Sequence, residues 1–229
     1  HELLTPIALL KTKLENLLQN ESLDDNAFDK IAGSLKTLDM LKKIINNLLL
    51  ISRIDNNQYE ANEEINLKEI VSDLQEDLQD RIENKGIQFF NKLEHDFAFT
   101  GNKTLIHILI YNLVTNAIKY TPAGGEINVS WQREHQRAVF TVTDNGDGIA
   151  AHHVKRLTER FYRVDQARAR NTGGTGLGLA IVKHVLSRHN SQLLIFSEPG
   201  RGSGLRGGLA GHSDVDKPYR PQSIQAPTG

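Results

Sequence analysis

The spacing of apolar residues near the start of the chain limits the possible fold more than any other feature. Apolar side chains recur at intervals of four and three residues, the heptad pattern of packed helices, at Leu3, Ile7, Leu10, Leu14 and Leu17. After a polar turn at residues 20–26, a second periodic run extends to Ile54; its one slip in spacing, between Leu38 and Leu41, changes the winding without ending the helix. The end of this run is apolar over more of its circumference than one neighbour can bury. The pattern predicts a helical hairpin over residues 1–58 that forms a four-helix bundle with a second copy.

After a polar linker, the pattern changes to alternating helices and strands. Strands are predicted at residues 87–93, 126–131, 137–143 and 192–197, and helices at 67–84, 102–120 and 175–189. This order predicts a separate α/β domain over residues 63–203, with helices on one face of a mixed sheet. Residues 200–229 contain seven glycines and three prolines and have almost no periodicity, so the chain from 204 onward is predicted to be a disordered tail.

Composition excludes several classes of function. The longest apolar run, residues 44–51, is interrupted by Asn46 and Asn47 and is much shorter than the roughly 20 residues of a membrane-spanning helix. The absence of cysteine rules out disulfides, zinc–thiolate sites and cysteine nucleophiles. A net charge of -1 argues against nucleic acid as a partner. The chain begins without Met and without a signal-peptide pattern, and we expect it to be a fragment.

The first residues combine an imidazole, a carboxylate and a hydroxyl. His1 is followed directly by Glu2, and Thr5 lies one helical turn along the same face. A neutral imidazole is a good nucleophile, and a neighbouring carboxylate can hold the tautomer that leaves the other ring nitrogen free to attack. The alternative is an exposed histidine at a frayed helix end.

Two asparagines and a lysine share one face of the predicted helix at 102–120. Asn112 and Asn116 are four residues apart, and Lys119 follows nearly one turn later. Amide oxygens are suitable ligands for a magnesium ion that already carries phosphates, and lysine adds a positive charge for those phosphates. The alternative is structural, because asparagine also satisfies helix ends.

Two glycine motifs follow strands or open helices. Asp144, Gly146 and Gly148 lie at a strand end, where the backbone can approach a flat ligand and the carboxylate can accept from an exocyclic amine; a plain Asp-Gly turn is the alternative. A second set, Gly174, Gly176 and Gly178, opens a helix whose free N–H groups favour phosphate. Its spacing is neither that of a dinucleotide-binding motif nor that of a P-loop.

Taken together and in this order, the motifs resemble the catalytic core of two-component sensor histidine kinases over about residues 1–203. The boxes of that family match at His1 (H box), 112–121 (N box), 144–148 (first glycine box), 161–163 (F box) and 174–179 (second glycine box). Residues 156–165 and the glycine helix after them are most similar to the phosphate-regulon branch of the family. Two positions depart from the family pattern: Leu4 stands where arginine is usual, and residues 204–211 are not expected to supply the closing apolar strand.

The resemblance implies a role for each motif. His1 would be the phosphoacceptor, Glu2 its hydrogen-bonding activator, and Thr5 the residue that positions water to dephosphorylate a response regulator. Residues 63–203 would be an α/β sandwich that binds ATP under a mobile lid at 150–172. Asn116 would ligate Mg²⁺ with Asn112 nearby, and Lys119 would bind phosphate. Asp144 would recognise adenine in a pocket that Tyr120 lines and that Gly146 and Gly148 shape. The turn that faces the phosphates would be formed by Gly174, Gly176 and Gly178.

The resemblance also implies the cofactors and partners. ATP and Mg²⁺ would be required, the chain would act as a homodimer, and the receiver domain of a response regulator would be its protein partner, bound on the hairpin around residues 9–18 and 29–49. The chain would be the cytoplasmic portion of a bacterial sensor that reaches the membrane only through segments upstream. Two alternatives stay open: a hydrolytic ATPase of the same superfamily, which would need a glutamate where this chain has Asn112, and a nucleotide-binding dimerisation module that no longer turns over.

Overall fold

The N-terminal part of the chain is a helical hairpin. The computed structural model describes residues 2–19, 24–60, 63–93, 98–134, 137–164 and 174–210. Helix α1 is Leu4–Leu18 and helix α2 is Asp25–Asp55, with the Asp24 carboxylate accepting the Ala27 N–H at 2.6 Å as an N-cap. Helix α2 is continuous through the slip in apolar spacing, as the sequence predicts. No helix in the described part of the chain is long and apolar enough to span a bilayer.

The heptad stripe of α1 divides between two directions. Ile7 and Leu14 are half-buried, and Lys11 Nζ donates to Asp39 Oδ1 of α2 at 2.8 Å, a partly exposed ion pair that links the two helices. The other members of the stripe keep 66%, 52% and 50% of their surface exposed, at Leu3, Leu10 and Leu17. A single chain therefore leaves an apolar row uncovered along α1.

The rest of the described chain, from Glu63 to Ala210, is here called the sheet domain. Its strands are β1 (Glu63–Asn66), β2 (Gln88–Leu93), β3 (Ala98–Gly101), β4 (Glu126–Glu134), β5 (Arg137–Asp144), β6 (Leu194–Glu198) and β7 (Gly202–Ala210). The main sheet has the order β2-β4-β5-β7-β6, with β2 parallel to β4 and the other neighbours antiparallel. The short strands β1 and β3, which the sequence did not predict, form an antiparallel pair. The predicted helical region followed by a mixed sheet is confirmed.

Helices supply the other half of the core. They are α3 (Leu67–Asp77), α4 (Gln79–Asn84), α5 (Lys103–Tyr120), α6 (Ala151–Val154) and α7 (Gly178–Arg188). The helix predicted at 67–84 is interrupted at Leu78. The buried faces of α5 and α7 share one hydrophobic cluster with inward-facing residues of β4 and β5, because each amphipathic helix must bury its apolar stripe. The cluster also includes Ile51 and Ile54, so the end of α2 packs into this core.

The prediction of a disordered tail from residue 204 is wrong for its first residues. Strand β7 pairs with β5 from Ser203 to Ala210 and with β6 from Gly202 to Arg206, so it lies inside the sheet. At Gly204 the strand packs directly against an aromatic ring, because a Cβ there would lie 2.0 Å from the Phe196 ring. Glycine weakens a strand by itself, but here it admits a ring that covers the backbone. Residues 211–229 lie outside the described chain.

Candidate nucleotide-binding site

Helix α5 is held firmly at both ends. Asn102 Oδ1 accepts the Leu105 N–H at 3.0 Å at the start of the helix. At its end, Lys85 Nζ donates to the carbonyl oxygens of Ile118, Lys119 and Thr121 at 2.8, 3.1 and 2.9 Å. A cation at a helix C-terminus satisfies carbonyls that have no partner in the helix and complements the dipole. Lys85 therefore fixes the last turn, which carries Lys119 and Tyr120; the motifs contained no signal for this role.

The two asparagines of α5 face the first turn of α7. A Cβ on Gly178 would lie 2.8 Å from Asn112 Oδ1 and 3.8 Å from Asn116 Nδ2. Asn112 Nδ2 donates to the Ile108 carbonyl at 2.8 Å, which directs its oxygen toward α7. The structure brings together Asn112, Asn116 and Gly178, as the motifs predict. Glycine at 178 allows the helix start to approach these amides.

Lys119 lies beside the second glycine motif. A Cβ on Gly174 would lie 2.6 Å from Lys119 Nζ and 3.6 Å from Arg163 Nη2, and Arg163 also donates to the Gly174 carbonyl. Burial lowers the pKa of Lys119, and the positive charges of Arg163 and Lys43 lower it further. Cationic side chains are therefore gathered at one place. Sequence reasoning did not single out Arg163, because an arginine in an arginine-rich loop is usually solvated.

The Asp144 carboxylate is half-buried among backbone atoms of Gly146 and Tyr120, and this part of the molecule is here called the recess. Its Oδ1 accepts the Gly146 N–H at 2.9 Å. Burial raises the pKa of Asp144, against the opposing effect of the backbone donors of Gly146 and Ser203. A Cβ on Gly146 would lie 2.5 Å from the Tyr120 carbonyl oxygen, which leaves no room for a side chain there. Tyr120 itself is 56% exposed, with Lys119 Nζ 5.1 Å from its ring centroid.

Gly148 is the most constrained residue of the first glycine motif. Its φ of +66° is in the left-handed region, and a Cβ there would lie 1.9 Å from the Glu198 carbonyl oxygen. The Ile149 N–H next to it donates to Ser197 Oγ at 2.8 Å. The loop after β5 is thus pressed onto the end of β6, so Gly148 shapes the recess through backbone packing.

The segment after this loop crosses toward α7. Phe161, with φ +65°, donates its N–H to the Gly176 carbonyl at 2.9 Å, and Gly176 has φ +70°. Tyr162 is held by a 2.5 Å hydrogen bond between its hydroxyl and His153 Nδ1, and Arg156 lies 4.2 Å from the centre of its ring. These contacts tie the F box to the second glycine motif. Residues 165–173, the remainder of the predicted lid and the first residue of the glycine stretch, lie outside the described chain.

The hairpin contacts the sheet domain along one side of α2. Asp55 Oδ1 is 2.6 Å from His184 Nδ1 of α7, and its Oδ2 is 3.8 Å from Arg160 Nη2. Further up α2, Asn47 Nδ2 donates to Thr175 Oγ1 at 3.4 Å. These contacts join residues far apart in sequence, so no local pattern could have predicted them.

The H-box residues belong to the hairpin. Glu2 and Thr5 are exposed at the start of α1, and His1 lies outside the described residues. The structure therefore links the N box, the F box and both glycine boxes through direct contacts. It leaves the predicted arrangement of His1 with Glu2 and Thr5 as a prediction.

The donor set of the recess is suited to a nucleotide with a divalent cation. It combines a half-buried carboxylate, two amides, a lysine, and glycine turns at which neighbouring atoms leave no space for a side chain. Amide oxygens and phosphates suit Mg²⁺, and the described residues contain no cluster of three or more histidines or carboxylates that would favour another metal. The residues present fit both groups.

Comparison with known proteins defines the class. Residues 101–206 match the family of histidine kinase-, DNA gyrase B- and HSP90-like ATPases. This segment runs from the end of β3 to β7 and contains α5, the Asp144 loop and α7, the elements that build the recess. The part of the sheet domain that builds the recess is therefore similar to the ATPase domains of this family.

Longer similarities point to one branch of that family. The chain is 38% identical over 205 residues to the phosphate regulon sensor protein PhoR of Pseudomonas aeruginosa, covering 89% of this chain and 46% of that protein. The chain thus spans about half the length of this relative. The fold is shared with the histidine kinase AdeS of Acinetobacter baumannii (TM-score 0.66, 22% identity, 93% and 98% coverage) and with full-length ShkA in complex with AMPPNP (TM-score 0.72, 21% identity, 91% and 44% coverage). The resemblance to sensor histidine kinases is confirmed.

Proposed function

We propose that this chain is the kinase core of a two-component sensor. The terminal phosphoryl group of MgATP passes to an imidazole nitrogen of His1 and then to an aspartate of a response regulator. The observation that carries the proposal is the meeting of Asn112 and Asn116 with Gly178, and of Lys119 with Gly174, beside the Asp144 recess. The similarity to PhoR and the AMPPNP complex of ShkA support it.

The Asp144 recess would bind the adenine. An ionised carboxylate has about four acceptor sites, so Asp144 can accept from an exocyclic amine in addition to the backbone donors of Gly146 and Ser203. The Gly146 and Gly148 backbone leaves space for a flat ring, and the exposed ring of Tyr120 would line the entrance. The hydrogen bond from the adenine amine to the half-buried Asp144 carboxylate would thus recognise adenine.

The opposite part of the site would bind the phosphates. Lys119 supplies a charge, and the turn at Gly174, Gly176 and Gly178 presents backbone N–H groups at the start of α7. Asn116, with Asn112 nearby, would hold Mg²⁺, which neutralises phosphate charge when bound. In-line transfer depends mainly on positioning and charge neutralisation, so these residues hold the triphosphate while Glu2 orients the His1 imidazole.

Phosphoryl transfer requires that the bond between the terminal phosphorus and the β-phosphate oxygen breaks as the bond from phosphorus to the His1 nitrogen forms. ADP leaves, and the response regulator later takes the group from His1. Thr5, one turn along α1, would position water for the reverse signal, dephosphorylation of the regulator. The regulator would dock on the hairpin surface around residues 9–18 and 29–49.

A second copy of the chain would cover the exposed row of α1. Leu3, Leu10 and Leu17 repeat every seven residues, the interval of a packed helical seam, and each is at least half exposed. Covering them with the same row of another chain completes a four-helix bundle. The proposed protein is thus a homodimer, and it would act as the cytoplasmic part of a bacterial membrane sensor.

The residues of the site support both alternative functions less well than they support a histidine kinase. A hydrolytic ATPase needs a base that activates water, and the amide of Asn112 cannot accept that proton. One reason to consider an impaired module was the expectation that residues 204–211 would not form the closing strand, and β7 occupies that place in the sheet. A histidine kinase therefore fits the site best.

Incubation of the chain with γ-labelled ATP and Mg²⁺ tests the proposal. We expect a protein phosphate that is labile in acid and stable in base, the behaviour of a phosphorus–nitrogen bond. Release of free phosphate without protein label would indicate the ATPase. Binding of AMPPNP with neither label nor release would indicate the impaired module.

Asp144→Asn should weaken ATP binding by about 2 kcal/mol, roughly thirtyfold. The carboxylate accepts a hydrogen bond from the adenine amine, whereas the amide of asparagine would place a second donor against it. A purine triphosphate that lacks this amine should lose much less affinity. Titration of both nucleotides measures the difference. Asp147→Asn, an exposed carboxylate of the same loop, is the matched control; equal losses for both nucleotides would show that Asp144 does not read adenine.

A further inference from the structure

A contact between the hairpin and the sheet domain lies next to the glycine turn. Asn47 of α2 donates from Nδ2 to Thr175 Oγ1 at 3.4 Å, joining residues 128 positions apart. Thr175 is the neighbour of Gly174, whose Cα is close to Lys119 and Arg163. This contact places one face of α2 at the phosphate end of the proposed nucleotide site.

Lys43 lies on that same face of α2. It precedes Asn47 by four residues, so the two side chains are one helical turn apart. The side chain of Lys43 is exposed and makes no ion pair with any described residue. Its charge is close enough to lower the pKa of Lys119, together with the charge of Arg163.

Lys43 therefore adds a cationic side chain from α2 on the side of the site that carries Lys119 of α5 and Arg163 of the segment before the second glycine motif. Positive charges that face one space raise the local concentration of anions and favour an anionic ligand there. The neighbouring turn at Gly174 presents backbone to the same space. A polyphosphate is the anion whose charge and extent match such a cluster.

We propose that Lys43 of the helical hairpin is a phosphate-binding residue of the nucleotide site in the sheet domain, where it acts beside Lys119 and Arg163. The inference rests on the nucleotide binding proposed above and adds a residue from outside the ATPase domain. Because binding couplings are reciprocal, a triphosphate held by Lys43 also strengthens the docking of α2 on the sheet domain. The hairpin thereby contributes directly to nucleotide affinity.

Titration of AMPPNP and adenosine against Lys43→Gln in the full chain tests this role. We expect the affinity for AMPPNP to fall about fivefold, the size of a partly exposed charge interaction, and to be less sensitive to salt. Adenosine has no phosphate, so its affinity should not change. Lys42→Gln is the matched control, because Lys42 is an equally exposed neighbour on a different face of α2 and should bind AMPPNP like the wild type.

Two results would overturn the role of Lys43. One is normal AMPPNP binding by Lys43→Gln, and the other is an equal loss in Lys42→Gln, which would indicate only a general effect of net charge. A wild-type chain that binds no AMPPNP would overturn the proposed function itself. Because both lysines are exposed, neither substitution is expected to affect folding.

Discussion

A chain that ends at Ser203 is expected to lose the cooperative melting transition of its sheet domain. Strand β7 joins β5 to β6, so its removal leaves β6 with no neighbour in the main sheet. It also removes the buried side chains of Leu205 and Leu209, each worth about 2 kcal/mol or more, and leaves buried backbone groups of β5 without partners. These losses together are comparable to the whole stability of a domain, about 5–15 kcal/mol.

Thermal unfolding followed by circular dichroism measures this effect. A chain that ends at Ala210 is the matched control, because it keeps all of β7 and should melt like the full chain. The short chain should instead bind no AMPPNP and show no sharp transition. Equal melting temperatures for the chains ending at 203 and 210 would contradict the position of β7 in the sheet.

His1→Gln is expected to abolish incorporation of label from γ-labelled ATP, a loss of at least about 10³-fold, because the variant has no nucleophilic nitrogen for the phosphoryl group. Binding of AMPPNP should be unchanged, since the recess proposed to hold the nucleotide lies in the sheet domain. Measuring label and affinity on the same preparation separates the two steps.

The control for this substitution is another histidine of the chain. His107 lies on α5 with its ring stacked 6.3 Å from that of Tyr111, and His107→Gln should keep its label. Label retained in His1→Gln would remove His1 from the reaction. Loss of label in both variants, with AMPPNP still bound, would point to a general defect of the sheet domain.

Much of the site was predictable because its residues are close in sequence. Helical geometry alone places Asn112, Asn116 and Lys119 on one face of α5. Asp144 and Gly146 are two residues apart at the end of β5, so they necessarily lie close together. Their order along the chain then indicated a single nucleotide site, and the structure brings these residues close together. The partners that complete the site, Arg163 and the capping Lys85, had no local signal, because their contacts depend on how distant elements meet.

The sequence by itself determined the helical hairpin, the order of most helices and strands, and the residue types of the proposed nucleotide site. These features depend on the spacing of residues a few positions apart, because the periods of the helix and of the strand decide which of them share a face. Only the tertiary structure decided that a glycine-rich segment is the strand β7, because aromatic rings such as Phe196 cover its backbone and partners distant in sequence supply its hydrogen bonds. Only the tertiary structure also brought Lys43 near Lys119, since that proximity arises from packing of α2 on α7.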